Sequence, residues 1–351
     1  MTNDILQRWS AGEDPTLEDL RKLLAWELAD ARRAIAFGIT AQNGLERLER
    51  RSRLFQILQP EVAQLCQKLG FSDRQRIQST LWTLWLPLSL HLVAARQALG
   101  RPLIQGILGV QGTGKSTLGA VLGLILGYLG YPTLGLSLDD LYKTYEERQQ
   151  LQQQNPRLRW RGPPGTHDVD LGLAVLDNLR NSQAQHPIFV PRFNKSAYDG
   201  AGDRTASEEV TGAVEIVLFE GWFVGFRPLD PSIFETAPPP IVTPEDRVFA
   251  RESNERLQEY LPLWERLDRL LVLYPVDYRA SKQWRKEAEQ RAIASGKSGM
   301  SDAQIEDFVE YFWKALHPEL FLIPAMENAD WVIEVGRDRT LGRIYQTNEE
   351  N

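Results

Sequence analysis

Apolar residues in the N-terminal part of the chain recur at the spacing of amphipathic helices. The clearest series is Leu17, Leu20, Leu24 and Leu28. Thr16 stands just before this series and Asp19 follows Thr16 by three residues, which is the pattern of a helix capping box. Ser72 and Gln75 repeat that pattern before a second apolar series. We therefore expect an all-helical unit over residues 1–98.

Beyond residue 98 the pattern changes to short, continuous apolar runs that are separated by longer helical stretches. The runs lie at residues 103–108, 133–138, 188–193, 216–219, 270–273 and 331–335. Such runs indicate strands of a parallel sheet that is buried on both faces. The proline-rich stretch 227–244 predicts a long surface loop, and the glutamine-rich stretch 149–154 predicts a solvated helix face. The sequence thus predicts an α/β domain over residues 99–351.

Composition and charge narrow the class of protein. The chain has 351 residues, of which 42% are hydrophobic and 25% charged, so it can bury a sizeable core. A net charge of -7 argues against a broad electrostatic contact with nucleic acid or with an anionic membrane surface. The single cysteine, Cys66, permits no internal disulfide and no multi-cysteine zinc site, as expected in a reducing compartment.

The sequence shows neither a targeting signal nor a membrane span. The N-terminus lacks a basic start followed by an apolar run. The apolar stretches 81–95 and 121–138 are interrupted by proline, histidine or glycine, so we expect both to be buried core. The prediction is a cytoplasmic protein with no nucleic-acid or membrane partner.

The sharpest motif is GVQGTGKS at residues 109–116, which matches G-x-x-x-x-G-K-[ST] between a predicted strand and a predicted helix. Glycines let such a loop turn its backbone N–H groups toward phosphate oxygens, and the helix N-terminus favours the same anion. We expect Lys115 to bridge the outer phosphates of a nucleotide and Ser116 to offer its hydroxyl to Mg²⁺. The candidate nucleotide-binding residues are Gly109, Gln111, Gly112, Thr113, Gly114, Lys115, Ser116 and Thr117.

Acidic residues at the ends of two predicted strands are candidates for the chemistry. Asp139 and Asp140 follow the second run, at the edge where open α/β sheets bind ligands. A carboxylate there can orient an attacking hydroxyl and accept its proton during phosphoryl transfer. The alternative is a helix-capping aspartate, a role that suits Asp140 better. Glu220 follows the run 216–219 and is a candidate to support Mg²⁺, the alternative being a plain surface carboxylate.

Two polar loops and one basic helix complete the candidate set. The loops are RGPPGTHD at residues 161–168 and the polar run at residues 191–204. The alternative for the first of them is a plain loop whose aspartate begins a helix. An arginine presents a planar fork to a carboxylate or phosphate, so the candidate anchors for a small acid are Arg161, Arg192 and Arg204. A predicted helix and the segment after it can close over ATP as a lid, or can be a solvated face. Its basic residues are Lys282, Arg285, Lys286, Arg291 and Lys297.

Six segments, in this order along the chain, resemble the D-glycerate 3-kinases of plants, fungi and cyanobacteria. They are GVQGTGKST, SLDDLYKTYEER, RGPPGTHD, PRFNKSAYDGAGDR, LFEGWFVGF and the segment at residues 283–312. The resemblance spans residues 100–340 and extends in fold to phosphoribulokinase, uridine kinase and bacterial pantothenate kinase. It implies a P-loop NTPase-type parallel sheet flanked by helices, with an N-terminal all-helical unit outside the motifs.

The resemblance also implies roles for individual residues. Asp139 matches the catalytic base, and Tyr142 matches the aromatic residue on the substrate side. Leu141 stands where the family has phenylalanine, which is a packing change. The acceptor-contacting segment of the wider superfamily matches Arg161, His167 and Asp168. The stretch characteristic of glycerate kinases contains Arg192, Asp199 and Arg204. The lid, where an arginine neutralises charge on the transferring phosphoryl group, contains Arg285, assigned to catalysis, and Arg291, assigned to the nucleotide.

The implied reaction transfers the γ-phosphoryl group of ATP to D-glycerate by direct in-line displacement, with Mg²⁺ as cofactor. It gives ADP and 3-phosphoglycerate, and in a photosynthetic cell it would return photorespiratory glycerate to carbon fixation. Two alternatives stay open. One is a kinase of the same fold that acts on pantothenate, a nucleoside or a sugar phosphate. The other is a nucleotide-binding regulator without transfer activity, which would use the helical unit to bind partners. The sequence leaves the oligomeric state open.

Overall fold

The computed structural model describes residues 2–181, 187–294 and 299–347. Its N-terminal part is helical, as the leucine spacing predicts. The helices are α1 (Thr2–Ser10), α2 (Leu17–Ala29), α3 (Ala31–Ala36), α4 (Gly44–Lys68), α5 (Arg74–Thr80) and α6 (Leu86–Leu99). A π-helical turn at Leu81–Trp85 joins α5 to α6. Cys66 is buried in α4.

One of the two predicted helix starts is correct and the other is displaced by one residue. At α2 the Thr16 hydroxyl accepts the backbone N–H of Asp19 at 3.1 Å, and the Asp19 carboxylate accepts the N–H of Thr16 at 3.5 Å. At α5 the cap is Asp73 instead of Ser72. The extended backbone falls at Asp73, so its carboxylate accepts the N–H of Arg76 at 3.0 Å.

The second part of the chain is built on a parallel sheet. The strands are β1 (Leu103–Gly109), β2 (Thr133–Ser137), β3 (Ile188–Val190), β4 (Phe193–Asn194), β5 (Asp203–Arg204), β6 (Glu208–Val210), β7 (Ile216–Gly221), β8 (Arg269–Pro275), β9 (Trp331–Val335) and β10 (Leu341–Gln346). Six of them form one sheet in the order β10-β9-β8-β1-β7-β2. All its neighbouring strands are parallel except β10, which pairs antiparallel with β9. Strand β1 is buried along its whole length, and the predicted parallel sheet is confirmed.

The apolar run 188–193 does not join this sheet, which corrects the prediction for that segment. Strand β3 pairs antiparallel with β6, and β4 pairs antiparallel with β5, so the run contributes to two small ribbons. Pro191 interrupts the run because it has no N–H to donate to a ladder. Phe189 is 60% exposed between buried Ile188 and Val190, which is the alternation of a strand with one solvated face.

Eight further helices surround the sheet and the ribbons in the described part of the chain. They are α7 (Lys115–Tyr128), α8 (Tyr145–Gln154), α9 (Val169–Arg180), α10 (Pro244–Arg256), α11 (Leu261–Trp264), α12 (Ala280–Ala294), α13 (Asp302–Ala315) and α14 (Pro318–Glu327). The predicted loop 227–244 contains a 3₁₀ turn at Pro231–Thr236, because Phe234 is fully buried there. Among the described residues, no helix combines the length and the apolar character that crossing a membrane requires.

The N-terminal helices and the sheet share one continuous hydrophobic core. Helix α3 packs against β10, helices α4 and α6 pack against α7, and the Phe37 and Trp331 rings lie 4.9 Å apart. The Arg76 guanidinium also donates to the carbonyl of Asp338, in the turn between β9 and β10, at 2.7 Å. The division into residues 1–98 and 99–351 stays a prediction about folding units.

A buried group of three charges ties helices α2, α3 and α4 together. The fully buried Glu27 carboxylate accepts hydrogen bonds from Arg33 at 2.7 Å and from Arg51 at 2.5 Å. Burial lowers the pKa of Arg33 to about 10, although Glu27 opposes that shift. The Arg33 guanidinium lies 4.4 Å from the Trp26 ring and that of Arg51 lies 5.0 Å from the Trp82 ring. Two buried guanidinium groups therefore depend on one carboxylate.

Replacing Glu27 with alanine is expected to lower the free energy of unfolding by about 3–5 kcal/mol, because both arginines would lose their buried counter-charge. Urea unfolding followed by circular dichroism measures this. The matched control is Glu18→Ala, which removes an exposed carboxylate whose partner is Lys22 and should change stability by less than about 1 kcal/mol. Equal losses in the two variants would contradict the predicted importance of the buried group.

Candidate active site

The loop at residues 110–114 joins β1 to α7 and has the geometry of a phosphate-binding loop. Gly112 and Gly114 have positive φ angles of 85° and 95°, a region that side chains disfavour. A Cβ atom at Gly112 would lie 2.4 Å from the Cβ of Trp284, so this position has no room for a side chain. The Thr113 hydroxyl donates to the carbonyl of Val110 at 2.9 Å, which closes the loop onto itself. The backbone thus places a helix N-terminus at the end of β1.

Lys115 begins α7, and its side chain lies over this loop. Its ammonium donates to the carbonyl of Gly109 at 2.6 Å and to that of Val110 at 3.3 Å, and it lies 4.0 Å from the Glu220 carboxylate. Burial lowers the pKa of this ammonium, while the charges of Glu220 and Asp139 act in the opposite direction. The candidate residue for the outer phosphates therefore lies near two carboxylates.

The other candidate nucleotide-binding side chains near Lys115 differ in how far they are exposed. Ser116 is exposed and Thr117 is partly buried in the first turn of α7. The Gln111 side chain lines a cavity of about 20 Å³ with Trp222 and Phe312, and its buried oxygen has no hydrogen-bond partner among the described residues. Such a volume suits one water molecule and no larger ligand.

Ser116 and Glu220 offer oxygen atoms for a divalent cation. The Ser116 hydroxyl donates to the Glu220 carboxylate at 3.5 Å, so the two side chains meet between α7 and the end of β7. In the described part of the chain, no group of three or more histidine, cysteine, aspartate or glutamate side chains could hold a metal ion. Mg²⁺ suits the Ser116 and Glu220 pair, because it commonly takes one or two protein oxygens and completes its shell with water and phosphate oxygens.

The two acids after β2, Asp139 and Asp140, differ in their roles, because only Asp140 caps the turn that follows the strand. Ser137 caps the 3₁₀ turn Leu138–Leu141, and the Asp140 carboxylate accepts the N–H of Ser137 at 3.0 Å, which completes a capping box. Asp140 also accepts a hydrogen bond from Arg192 at 3.0 Å. Burial raises the pKa of Asp140, although its hydrogen bonds and Arg192 oppose the shift. The capping alternative therefore applies to Asp140, leaving Asp139 for chemistry.

Asp139 forms an ion pair with Lys195 at 2.5 Å. Burial acts to raise the pKa of this carboxyl group, but the charge and hydrogen bond of Lys195, together with the nearby Tyr142 hydroxyl, outweigh it and hold the pKa below its usual value. The strand order places β7 between β1 and β2. The phosphate-binding loop, Glu220 and Asp139 therefore stand at the carboxyl ends of three adjacent parallel strands.

Tyr142 and His167 pack against each other next to Asp139. Their rings are stacked with centroids 4.5 Å apart, and the backbones of the two residues form an isolated β-bridge. The Tyr260 hydroxyl accepts the N–H of Gly165 at 2.8 Å and lies 2.8 Å from His167 Nδ1. It can therefore donate its own proton to Nδ1, which leaves the proton of the neutral imidazole on Nε2. Burial lowers the pKa of His167 to about 3, so the imidazole is neutral at physiological pH.

The candidate arginine anchors differ in how fully the protein already uses them. Arg192 pairs with Asp140 and Glu208 and also donates to the carbonyl of Gly135. Arg204 donates to the Asp168 carboxylate at 2.9 Å and to the carbonyl of Tyr142 at 2.8 Å. Both guanidinium groups therefore have structural partners.

Arg161 is the third candidate. It donates to the carbonyl of Gly200 at 2.5 Å and lies 5.9 Å from the Tyr142 ring. Asp168 accepts the N–H of Leu171 at 2.9 Å, so it caps α9 while it pairs with Arg204. The pKa of the Asp168 carboxyl group is lowered, because these two hydrogen bonds outweigh burial, which acts to raise it. Asp199 is exposed at φ 53° in the turn Tyr198–Gly200, and its carboxylate contacts no described partner.

The lid candidates lie on α12. Arg285 pairs with Glu289 at 2.8 Å, and Arg291 is exposed and donates to the carbonyl of Glu287 at 3.2 Å. Neither arginine contacts Lys115 or Asp139 within the described ranges. The residue of α12 that touches the phosphate-binding loop is Trp284, which packs on Gly112. Lys282 and Lys286 pair with acids of α13, and Lys297 lies outside the described residues.

Comparison with known proteins agrees with this geometry. The D-glycerate 3-kinase of Arabidopsis thaliana chloroplasts is 32% identical over 249 residues, which cover 68% of this chain and 53% of that protein. The chain thus matches about half the length of that relative. An uncharacterized kinase of Schizosaccharomyces pombe, mug58, is 32% identical over 223 residues, which cover 61% of this chain and 79% of that protein. The chain belongs to the same family as this kinase, and it is related to the D-glycerate 3-kinases and other P-loop kinases.

The fold of this family is also found in a solved structure. The D-glycerate 3-kinase of Cryptococcus neoformans superposes with a TM-score of 0.62 at 26% identity, covering 74% of this chain and 96% of that protein. No protein-family model matches the chain. The family resemblance and the predicted fold class are confirmed.

Two residues of this family member were missed as site candidates. Lys195 lies within the polar run 191–204, but only the arginines of that run were considered as anchors. Arg339, in the turn between β9 and β10, donates to the carbonyl of Gly112 at 3.0 Å and pairs with Glu287 at 2.7 Å. Its guanidinium lies 5.4 Å from the Trp284 ring. No local signal predicts this contact, because Arg339 and Gly112 are 227 residues apart.

Proposed function

We propose that this protein is an ATP-dependent kinase that transfers a phosphoryl group to the 3-hydroxyl of D-glycerate. The observation that supports this most is the carboxylate of Asp139, which pairs with Lys195 and lies two strands away from the phosphate-binding loop. That arrangement supplies an acceptor-side base opposite a nucleotide site. The relatives named D-glycerate 3-kinase support glycerate as the acceptor.

On the nucleotide side, backbone N–H groups of residues 110–114 and the N-terminus of α7 bind the phosphates of ATP. Lys115 neutralises charge on the outer phosphates, and its contacts with the loop carbonyls keep it at that position. Ser116 and Glu220 would hold Mg²⁺, which supplies charge neutralisation between the phosphates when it is bound. Arg285 and Arg291 of α12 are proposed to add positive charge from the lid.

On the acceptor side, Asp139 orients the 3-hydroxyl of glycerate and receives its proton. The acceptor oxygen forms a bond to the γ-phosphorus while the bond from that phosphorus to the β,γ-bridging oxygen breaks, and ADP leaves. Tyr142 and His167 form the wall beside the base, and the neutral His167 can donate from Nε2. Arg192, Arg204 and Asp168 hold the surrounding loops in place through the contacts described above.

The direct test is ADP release by the purified protein with Mg²⁺ and ATP in a coupled assay. The acceptors compared are D-glycerate, L-glycerate, pantothenate, uridine and ribulose 5-phosphate, and ³¹P NMR locates the phosphate on the product. We expect ADP release with D-glycerate and phosphate on its 3-hydroxyl. Turnover with one of the other acceptors and none with D-glycerate would overturn glycerate as the substrate and support the kinase activity. Silence with every acceptor, together with ATP binding, would instead support the regulator.

A further inference from the structure

Most of the basic side chains around the proposed acceptor site already have partners within the protein. Arg192 is matched by two carboxylates, Asp140 and Glu208, and Arg204 is matched by Asp168. Lys195 is matched by Asp139. A further arginine, buried Arg148, uses its guanidinium within the described part of the chain to donate to the main-chain carbonyls of Lys143, Ala201 and Gly202. These groups have little capacity left for a negatively charged ligand.

Arg161 is different, because no described carboxylate pairs with it and, unlike buried Arg148, it donates to one described carbonyl instead of three. Among the described residues its hydrogen-bond partner is the neutral carbonyl of Gly200, reached through Nη1. Its guanidinium lies 5.5 Å from the Phe193 ring and 5.9 Å from the Tyr142 ring. Aromatic faces attract a cation without neutralising it. Among the described residues, the Nε and Nη2 donors of Arg161 have no hydrogen-bond partner, so they can present the fork geometry that a carboxylate accepts.

The backbone that carries Arg161 is held rigidly. The next residue, Gly162, donates its N–H to the Thr166 hydroxyl at 3.2 Å and accepts the indole N–H of Trp222 at 3.2 Å. Gly162 has φ 131°, and a Cβ atom there would lie 2.4 Å from the Phe312 ring. The rigid turn fixes where the side chain begins, and the Gly200 hydrogen bond and the two ring contacts restrict the guanidinium before a ligand binds, which favours recognition.

Tyr142 connects Arg161 to the proposed base. Asp139 lies in the 3₁₀ turn Leu138–Leu141, and Tyr142 follows that turn directly. The Tyr142 hydroxyl lies beside the Asp139 carboxylate. Arg161 stands over the same tyrosine ring. A small molecule that reaches from Asp139 along Tyr142 therefore meets a guanidinium that no described carboxylate neutralises. We propose that Arg161 binds the carboxylate of the acceptor and makes the site specific for small hydroxy acids, an inference that rests on the proposed function.

The test compares two acceptors that differ at the carboxylate. Glycerol has a hydroxymethyl group where D-glycerate has its carboxylate. In Arg161→Met, the KM for D-glycerate is expected to rise roughly 10- to 100-fold, because a charged hydrogen-bonded pair is lost. The kcat/KM for glycerol is expected to stay within about 3-fold, so the preference for glycerate over glycerol collapses. Arg161→Lys, which keeps the charge and loses the fork, is expected to lie between them.

A binding measurement separates this inference from the proposed function. D-lactate has the carboxylate and 2-hydroxyl of D-glycerate but no 3-hydroxyl, so it cannot be phosphorylated there. Ligand-observed NMR is expected to show D-lactate binding to the wild type and to Arg159→Met, and none to Arg161→Met. Arg159 is a matched control, because it lies two residues away and pairs with Asp307 on the surface. Unchanged ATP affinity in each variant shows that the variant is folded. If Arg161→Met does not fold, D-lactate binding to Arg161→Lys tests the proposal instead.

The outcomes are distinct. Unchanged glycerate KM and unchanged D-lactate binding in the Arg161 variants would overturn the anchor and leave the kinase intact. Arg161-dependent D-lactate binding without phosphorylation of glycerate would support the anchor and overturn the proposed reaction. A wild type that neither binds D-lactate nor phosphorylates glycerate would overturn both.

Discussion

Replacing Asp139 with asparagine is expected to lower kcat with D-glycerate by roughly 10²- to 10⁴-fold, the usual contribution of a positioned general base. The amide cannot accept the proton of the 3-hydroxyl, and it no longer pairs with Lys195 as a carboxylate does. The nucleotide site lies on other strands, so the dissociation constant for ATP should stay within about 2-fold. Coupled kinetics and isothermal titration calorimetry with ATP measure the two quantities.

A matched control and a pH profile sharpen this prediction. Asp170→Asn removes an exposed carboxylate in the first turn of α9 and should leave kcat unchanged. Because the pKa of Asp139 lies below its usual value, the base is ionised above about pH 5 and should impose no acidic decline on kcat/KM between pH 5 and 8. An Asp139→Asn enzyme with normal turnover would remove Asp139 as the base.

Replacing Lys115 with alanine is expected to damage both binding and turnover. Its ammonium is held over the phosphate-binding loop by the carbonyls of Gly109 and Val110. Under the proposed function it contacts the phosphates in the ground state and during transfer. We expect kcat to fall roughly 10²- to 10³-fold, as on loss of one preorganised electrostatic group, and the dissociation constant for ATP to rise roughly 10-fold or more.

The control for this variant is Lys68→Ala, which removes an exposed ammonium at the end of α4. It should change neither quantity. Lys115→Arg keeps the charge in a larger, planar group, so it should recover part of the ATP affinity and little of the turnover. Normal kcat in Lys115→Ala would mean that another cation serves the outer phosphates.

The contrast between Asp139 and Lys195 shows how far the sequence carries the site. Asp139 could be predicted because a strand pattern and its position after that strand place it at a known edge of the sheet. Lys195 belongs to a polar run whose backbone forms a two-stranded ribbon, and its partner is 56 residues away. Nothing in the local pattern indicates which cation of that run reaches the base.

The three arginine candidates make the same point. Their side-chain chemistry is identical, so sequence reasoning could not rank them. The structure distinguishes them by partners: Arg192 and Arg204 meet carboxylates, whereas Arg161 meets a carbonyl and two aromatic rings. Whether an arginine has charge available for a ligand depends on neighbours brought together from distant segments, and that is a property of the folded chain.

The sequence by itself determined the features that depend on local periodicity and on short motifs. These are the helical N-terminal part, the buried parallel strands, the phosphate-binding loop and the acid that follows β2. The tertiary structure alone decided the features that depend on long-range packing. These are the exclusion of the run 188–193 from the main sheet, the contact of Arg339 with Gly112 and the lack of a carboxylate beside Arg161 among the described residues. The physical reason is that backbone conformation responds to neighbouring residues, whereas burial and charge pairing respond to whatever the fold places alongside.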